Sequence, residues 1–302
     1  MRHHEVMYHF KPFVGELPAI YSTDFLGTRM RHEFASGMYS PQGDPVHSWY
    51  PELDEEYFEW IDLLEAVVEA RDSFTMVDLG AGYGRWSVRA GCAVRQYHSD
   101  LPFHLVAVEA EPLKFHWMHR HFEDNGLDPR QHKLVHAAVN KSSGPALFCI
   151  GGPVGSAFDL KPDEWYGQAL TKEHDIDGAS RKAGEYYGFE VQLHESQWRS
   201  ISVQGISLSE ILEDEPFVDL VDMDIEGDEL PVVAAAVAEL DAKVKRLHIG
   251  THGRDIEAGL RRILCAHGWR CKADYSLGGT HETDWGPIDF CDGAQSWVNP
   301  RF

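Results

Sequence analysis

Phe74-Thr-Met-Val-Asp78-Leu-Gly80-Ala-Gly82-Tyr-Gly84-Arg-Trp86 is an apolar run that ends in a carboxylate and then places glycine at every second position. An apolar run bounded by such a turn predicts a buried parallel strand that passes straight into a helix. Glycine suits the turn because it takes positive φ cheaply and has no Cβ to hold a ligand away from the backbone.

The spacing is G-x-G-x-G. The dinucleotide pattern is G-x-G-x-x-G, whose last glycine would fall on Arg85, so the segment favours S-adenosylmethionine over NAD. A tight turn without any ligand is the plainer alternative. Beyond the strand at 74–79, short apolar runs alternate with helical patterns, which predicts a parallel sheet built from βαβ units. Helices are expected at 83–97, 113–125, 209–213, 228–240 and 256–267. Strands are expected at 103–109, 133–139, 217–224 and 244–249, with the last antiparallel strands in 269–290.

Two regions break the alternation. Residues 1 to about 52 are rich in Gly, Pro, Tyr and His, and lead into an amphipathic helix at 55–70. That helix carries Tyr57, Trp60, Ile61, Leu64 and Val68 on one stripe. Residues 151–200 hold Trp165, Tyr166, Tyr186, Tyr187 and Trp198, and form a long insertion between the third and fourth strands. An insertion of that length suggests a lid or a substrate-selecting segment. The expected division is a cap or helical extension at 1–70 and an enzyme domain at 71–302.

At 302 residues and 43% hydrophobic content, the chain is large enough for a sizeable core. A formal net charge of -22 argues against nucleic acid and anionic membrane as partners. No run of about 18 apolar residues predicts a membrane span, and Met1-Arg-His-His-Glu-Val lacks a signal-peptide core. Cys92, Cys149, Cys265, Cys271 and Cys291 are scattered without C-x-x-C pairs, which suits reduced thiols in a cytoplasm. A homo-oligomer is compatible with the sequence.

In an open parallel sheet, ligands collect at the carboxyl ends of the strands. That rule gathers Asp78 with its glycines, Glu109, Ala137 and Ala138, Asp224 and Glu226, and Thr251 and His252. Glu109 is placed to accept both hydrogen bonds of a ribose diol. In Val218-Asp-Leu-Val-Asp222-Met-Asp224-Ile-Glu226-Gly-Asp-Glu229, repeated carboxylates are costly unless they bind a cation, accept hydrogen bonds or reach solvent. Helix capping accounts for Asp228 and Glu229 better than for Glu226. His252, among Gly and Thr at a strand end, suits a general base or a metal ligand, and a satisfied structural histidine is the alternative. Asp224, Glu226 and His252 together offer oxygen and imidazole to a divalent metal, although no spacing rule makes this specific.

The order Asp78-x-Gly80-Ala-Gly82-x-Gly84, then Val106-Ala-Val-Glu109-Ala-Glu-Pro112, then Asp219-Leu-Val-Asp-Met-Asp224-Ile-Glu226-Gly227-x-Glu229 resembles the FkbM-type S-adenosylmethionine-dependent methyltransferases. The resemblance spans about residues 74–270. It departs at Asp222, where the family generally has Lys, and at Gly250, where an acid is frequent. It implies a Rossmann-like, doubly wound and mostly parallel seven-stranded sheet. It also implies O-methyl transfer to a small molecule, sugar or natural-product intermediate. The implied cofactor set is Asp78, Gly80, Ala81, Gly82, Gly84, Glu109, Ala110, Ala138 and Asp224, with Ala138 flanking the adenine. Asp224, Glu226 and His252 would face the acceptor hydroxyl, with His252 as base. An NAD-dependent oxidoreductase and an inactive methyltransferase-like binding protein are the competing functions.

Overall fold

The computed structural model describes residues 2–34, 45–156 and 179–302. Its centre is a seven-stranded sheet of β1 (Phe74–Leu79), β2 (Phe103–Glu109), β3 (Lys133–His136), β4 (Leu220–Met223), β5 (Arg246–Thr251), β6 (Arg270–Tyr275) and β7 (Gly293–Val298). The spatial order is β6-β7-β5-β4-β1-β2-β3. The pairings from β5 across to β3 are all parallel, and β7 runs antiparallel to both neighbours. The order reverses between β1 and β4, which is where such sheets open a crevice for ligand.

Helices cover both faces. One face carries α1 (Tyr57–Glu69), α2 (Arg85–Tyr97) and α3 (Pro112–Asp124), and the other α4 (Leu208–Ile211), α5 (Glu229–Lys243) and α6 (Arg254–Ala266). Alternation along β1 sends Phe74 and Met76 into the first layer and Val77 and Leu79 into the second, so all its residues are buried. The stripe on α1 is seated as expected, with Tyr57, Trp60, Ile61 and Leu64 buried. The N-terminal segment shares this layer: Val6, Met7, Phe10, Phe25 and Leu26 pack with α1 and α2. Arg89 on α2 pins it there, lying 4.2 Å from the rings of both Trp60 and Trp86 and 3.1 Å from Asp24.

Two expectations need correction. The single strand expected at 133–139 is broken at Ala137. Lys133–His136 stays on the core sheet, and Ala138–Asn140 peels away to run parallel with Arg199–Ser207 in a second, five-stranded sheet. That sheet is completed by Gly144–Cys149, Ser180–Tyr186 and Phe189–His194. β3 is an edge strand, so leaving it costs little pairing, and Ala137 N–H still donates to Glu109 O at 3.0 Å. Within the insertion, Ser180–Tyr186, Phe189–His194 and the start of Arg199–Ser207 belong to this sheet, residues 151–156 form an irregular turn, and Trp165 and Tyr166 lie outside the described residues. In the tail, the inner antiparallel strand is β7, beyond the expected 269–290. Gly279–Thr283 and Gly286–Phe290 form a separate hairpin.

Candidate active site

The glycine turn is held from three sides. Gly80, Gly82 and Gly84 have φ of 81°, 56° and 75°. The N–H groups of Gly80 and Ala81 both reach Val108 O at 3.0 Å, while Asp224 N–H donates to Leu79 O at 2.9 Å. Asp78 is buried, and its Oδ2 accepts from Ser87 N–H at 3.0 Å and Ser87 Oγ at 2.7 Å, anchoring the start of α2. Burial, and then the charge of Asp222, push Asp78 up to about 8. Glu109 closes the other side: Oε2 accepts from Gly82 N–H at 2.7 Å and Oε1 from Glu111 N–H at 2.6 Å. Burial raises Glu109 to about 7.

The three glycines have different tasks. A Cβ on Gly80 would lie 1.8 Å from Asp224 O, so this position is glycine because two backbones touch. A Cβ on Gly84 would meet Met118 and Phe122, and this glycine lines neither of the cavities described next. Gly82 has nothing within 4 Å of its missing Cβ. It faces open space.

That space is two adjoining cavities that share Gly80, Gly82, Asp224 and Glu226. The first is walled by Val108, Ala110, Ala138 and Phe148, with Glu109 on its edge. The second runs toward α1 and is lined by Glu59, Asp78, Asp222 and His248. Of the expected cofactor residues, all but Gly84 line one cavity or the other. Glu59, His248 and Phe148 were not anticipated. On α1, acids recur at Glu59, Asp62, Glu65 and Glu69 with helical spacing, so the sequence pattern did not single out Glu59.

His252 joins the acids at the shared rim. Its Nδ1 pairs with the fully buried Glu229 at 2.8 Å, which turns Nε2 toward Asp224 at 3.4 Å and Glu226 at 3.5 Å. One ligand atom from each of Asp224, Glu226 and His252 falls within 4.8 Å of the others, a set able to hold a metal ion. Burial alone would lower His252, but the Glu229 bond and the surrounding carboxylates raise it to about 10. In the free protein it is therefore an imidazolium at neutral pH, and a role as unaided base requires that this proton leave first. Glu226, held at φ 57°, is pushed by burial to about 7, which leaves it able to take or give a proton near neutrality.

The family model described as the methyltransferase FkbM domain matches residues 78–251, which begin at Asp78 and close on Thr251. The chain belongs to the FkbM methyltransferase family. A protein of Jannaschia sp. (strain CCS1) named as a methyltransferase is 24% identical over 258 residues, covering 83% of each chain. Among solved structures, the methyltransferase FkbM of Methylobacillus flagellatus KT is 14% identical with a TM-score of 0.42, covering 76% of this chain and 45% of that one. The precorrin-6y C5,15-methyltransferase of Geobacter metallireducens GS-15 is 13% identical with a TM-score of 0.40, covering 79% and 85%. Within the stretches that carry the FkbM resemblance, Asp78, Gly80, Ala81, Gly82, Glu109, Asp224 and Glu226 line the paired cavities. No helix among the described residues is long and apolar enough to cross a membrane.

Proposed function

We propose that this FkbM methyltransferase uses S-adenosylmethionine and methylates a hydroxyl of a small molecule or glycan. One observation carries the reading: an open, Cβ-free cradle at Gly82 joins an apolar, carboxylate-edged cavity to a strongly acidic one. The donor set fits an adenosine bearing an amino-acid tail. Ala110, Ala138, Val108 and Phe148 offer apolar faces to the base, and each Glu109 oxygen keeps a lone pair for the ribose after its backbone bond. The bound cofactor supplies a methyl group on a cationic sulfur.

The protein then positions an acceptor oxygen in line with that methyl and removes its proton. Glu226 is the group we assign to take the proton, because its carboxyl is poised near neutrality. His252, fixed by Glu229, holds Glu226 and Asp224 in place and shares the charge. Glu226 takes the proton as a member of this coupled cluster, so its titration depends on the charges of His252 and Asp224. Thermal shift distinguishes the cofactor. S-adenosylmethionine and S-adenosylhomocysteine at saturating concentration should each raise the melting temperature by on the order of 5 °C, whereas NAD should not. Stabilisation by NAD alone would overturn the reading. Incubation with methyl-labelled cofactor and fractionated small molecules then tests for a hydroxylated acceptor.

A further inference from the structure

We infer that Asp224, Glu226 and His252 form a divalent-metal site suited to Zn²⁺, with Glu229 as the carboxylate that orients its imidazole. The site stands on side-chain geometry alone, and only its part in methyl transfer rests on the S-adenosylmethionine reading above.

The ligands come from the ends of two neighbouring parallel strands: Asp224 and Glu226 follow β4, and His252 follows β5. His252 Nε2 lies 3.4 Å from Asp224 Oδ1 and 3.5 Å from Glu226 Oε2. Both separations are longer than a charge-assisted hydrogen bond, about 2.7–2.9 Å. They match the edge of a coordination tetrahedron, since ligand atoms about 2.1 Å from Zn²⁺ stand about 3.4 Å apart. An octahedral Mg²⁺ with bonds of about 2.1 Å would draw the same atoms to about 3.0 Å. The imidazole disfavours Ca²⁺, which takes oxygen ligands, and favours a transition metal.

Glu229 holds the imidazole as metal-bound histidines are held. It is fully buried, and its Oε1 accepts from His252 Nδ1–H at 2.8 Å and from Gly227 N–H at 2.9 Å. That bond leaves Nε2 as the ligand atom and fixes the ring plane. Glu229 Oε2, also buried, has no hydrogen-bond partner among the described residues. Among those residues, His252 is the one cation paired with Asp224, Glu226, Glu229 or Asp292. Four carboxylates around one imidazole leave negative charge that a divalent ion neutralises, the ion taking the place of the proton on Nε2. Three protein ligands leave a fourth position for water or substrate. Asp224 and Glu226 line both cavities, so that position borders the space they share. An acceptor hydroxyl placed there becomes more acidic and gives its proton to the second oxygen of Glu226. Its oxygen then bonds the methyl carbon, and the carbon–sulfur electron pair returns to sulfur, leaving S-adenosylhomocysteine.

Calorimetric titration of the chelator-stripped full chain with ZnCl₂, MgCl₂ and CaCl₂ tests the site. One Zn²⁺ should bind per chain, at least about tenfold more tightly than Mg²⁺ or Ca²⁺. Asp224→Asn, Glu226→Gln and His252→Ala should each weaken Zn²⁺ at least about tenfold. Co²⁺ in place of Zn²⁺ should show the intense visible bands of a four-coordinate ion, and Glu229→Gln, a positioning change, should shift those bands and cost about 10- to 100-fold in affinity. Absence of Zn²⁺ binding, preference for Mg²⁺ or Ca²⁺, or equal Zn²⁺ affinity in His252→Ala and Glu226→Gln would overturn the assignment. S-adenosylhomocysteine binding by the stripped protein is measured separately. If it fails while Zn²⁺ binds, the cofactor reading falls and the metal site stands, and the converse result removes the metal site alone.

Discussion

Replacing Gly80 and Gly82 separately by alanine should give opposite outcomes, although the two lie in one turn and both have positive φ. At Gly82, φ 56° is the left-handed helical well, and nothing lies within 4 Å of the new methyl. The cost is then the left-handed alanine penalty, about 1 kcal/mol. At Gly80, the same penalty is joined by a Cβ placed 1.8 Å from Asp224 O. Relief requires pushing the β4 terminus away from β1 and stretching the 2.9 Å bond from Asp224 N–H to Leu79 O. A strained or lost buried backbone bond adds about 1–3 kcal/mol, for a total of about 3 kcal/mol. Urea unfolding measures both losses, and titration with S-adenosylhomocysteine measures binding. Gly82→Ala should remain folded yet bind at least about tenfold more weakly, because its methyl projects into the space shared by both cavities. Gly82→Val should abolish binding. Equal stability losses at the two positions, or wild-type affinity in Gly82→Ala, would refute the division of labour between these glycines.

Three further outcomes follow from the structure. His252→Ala and Glu226→Gln should retain S-adenosylhomocysteine binding and lose methyl transfer, and full turnover by either would remove that residue from the mechanism. Asp78, Glu109 and Glu226 have folded values of about 8, 7 and 7 against ordinary values of 3.8, 4.5 and 4.5. The native state therefore binds more protons than the unfolded chain in that window. The stability these groups contribute is complete below their ordinary values and is lost as pH rises through 7 and 8. The urea midpoint should accordingly fall between about pH 6 and about pH 8.5, and a rise would contradict the assigned shifts. Arg89→Ala removes a guanidinium that packs on both rings of the edge-to-face Trp60–Trp86 pair and is ion-paired with Asp24. It should cost about 3 kcal/mol, seen as a lower denaturation midpoint, with Arg89→Lys restoring the charge but less than half the loss. Equal stability of wild type and Arg89→Ala would show that the N-terminal segment is held by other contacts.

Much of this fold is written in local pattern. The β1–turn–α2 unit is legible because an apolar run, a carboxylate and three glycines each constrain the same few residues. α1 is legible because its apolar stripe keeps helical spacing. β7 is not, since Gly293-Ala-Gln-Ser-Trp-Val is buried throughout between two strands and alternates in no readable way. The break at Ala137 is equally silent, because a strand that changes sheets keeps one continuous extended pattern.

The same boundary divides the site. Glycine spacing, Glu109 and the Asp224-to-Glu229 segment sufficed to place a ligand site at the carboxyl ends of the strands and to indicate the family, because each is a local demand on backbone or charge. Tertiary structure decided that Gly80 serves the backbone and Gly82 the cavity. It also converted His252 into an imidazolium within a ring of acids, and set Glu59 of α1 against Asp222 of β4. Those results depend on burial and on distances between segments remote in sequence. A carboxylate's proton affinity is fixed by which charges and how much water lie within a few ångströms, and only the folded chain specifies that.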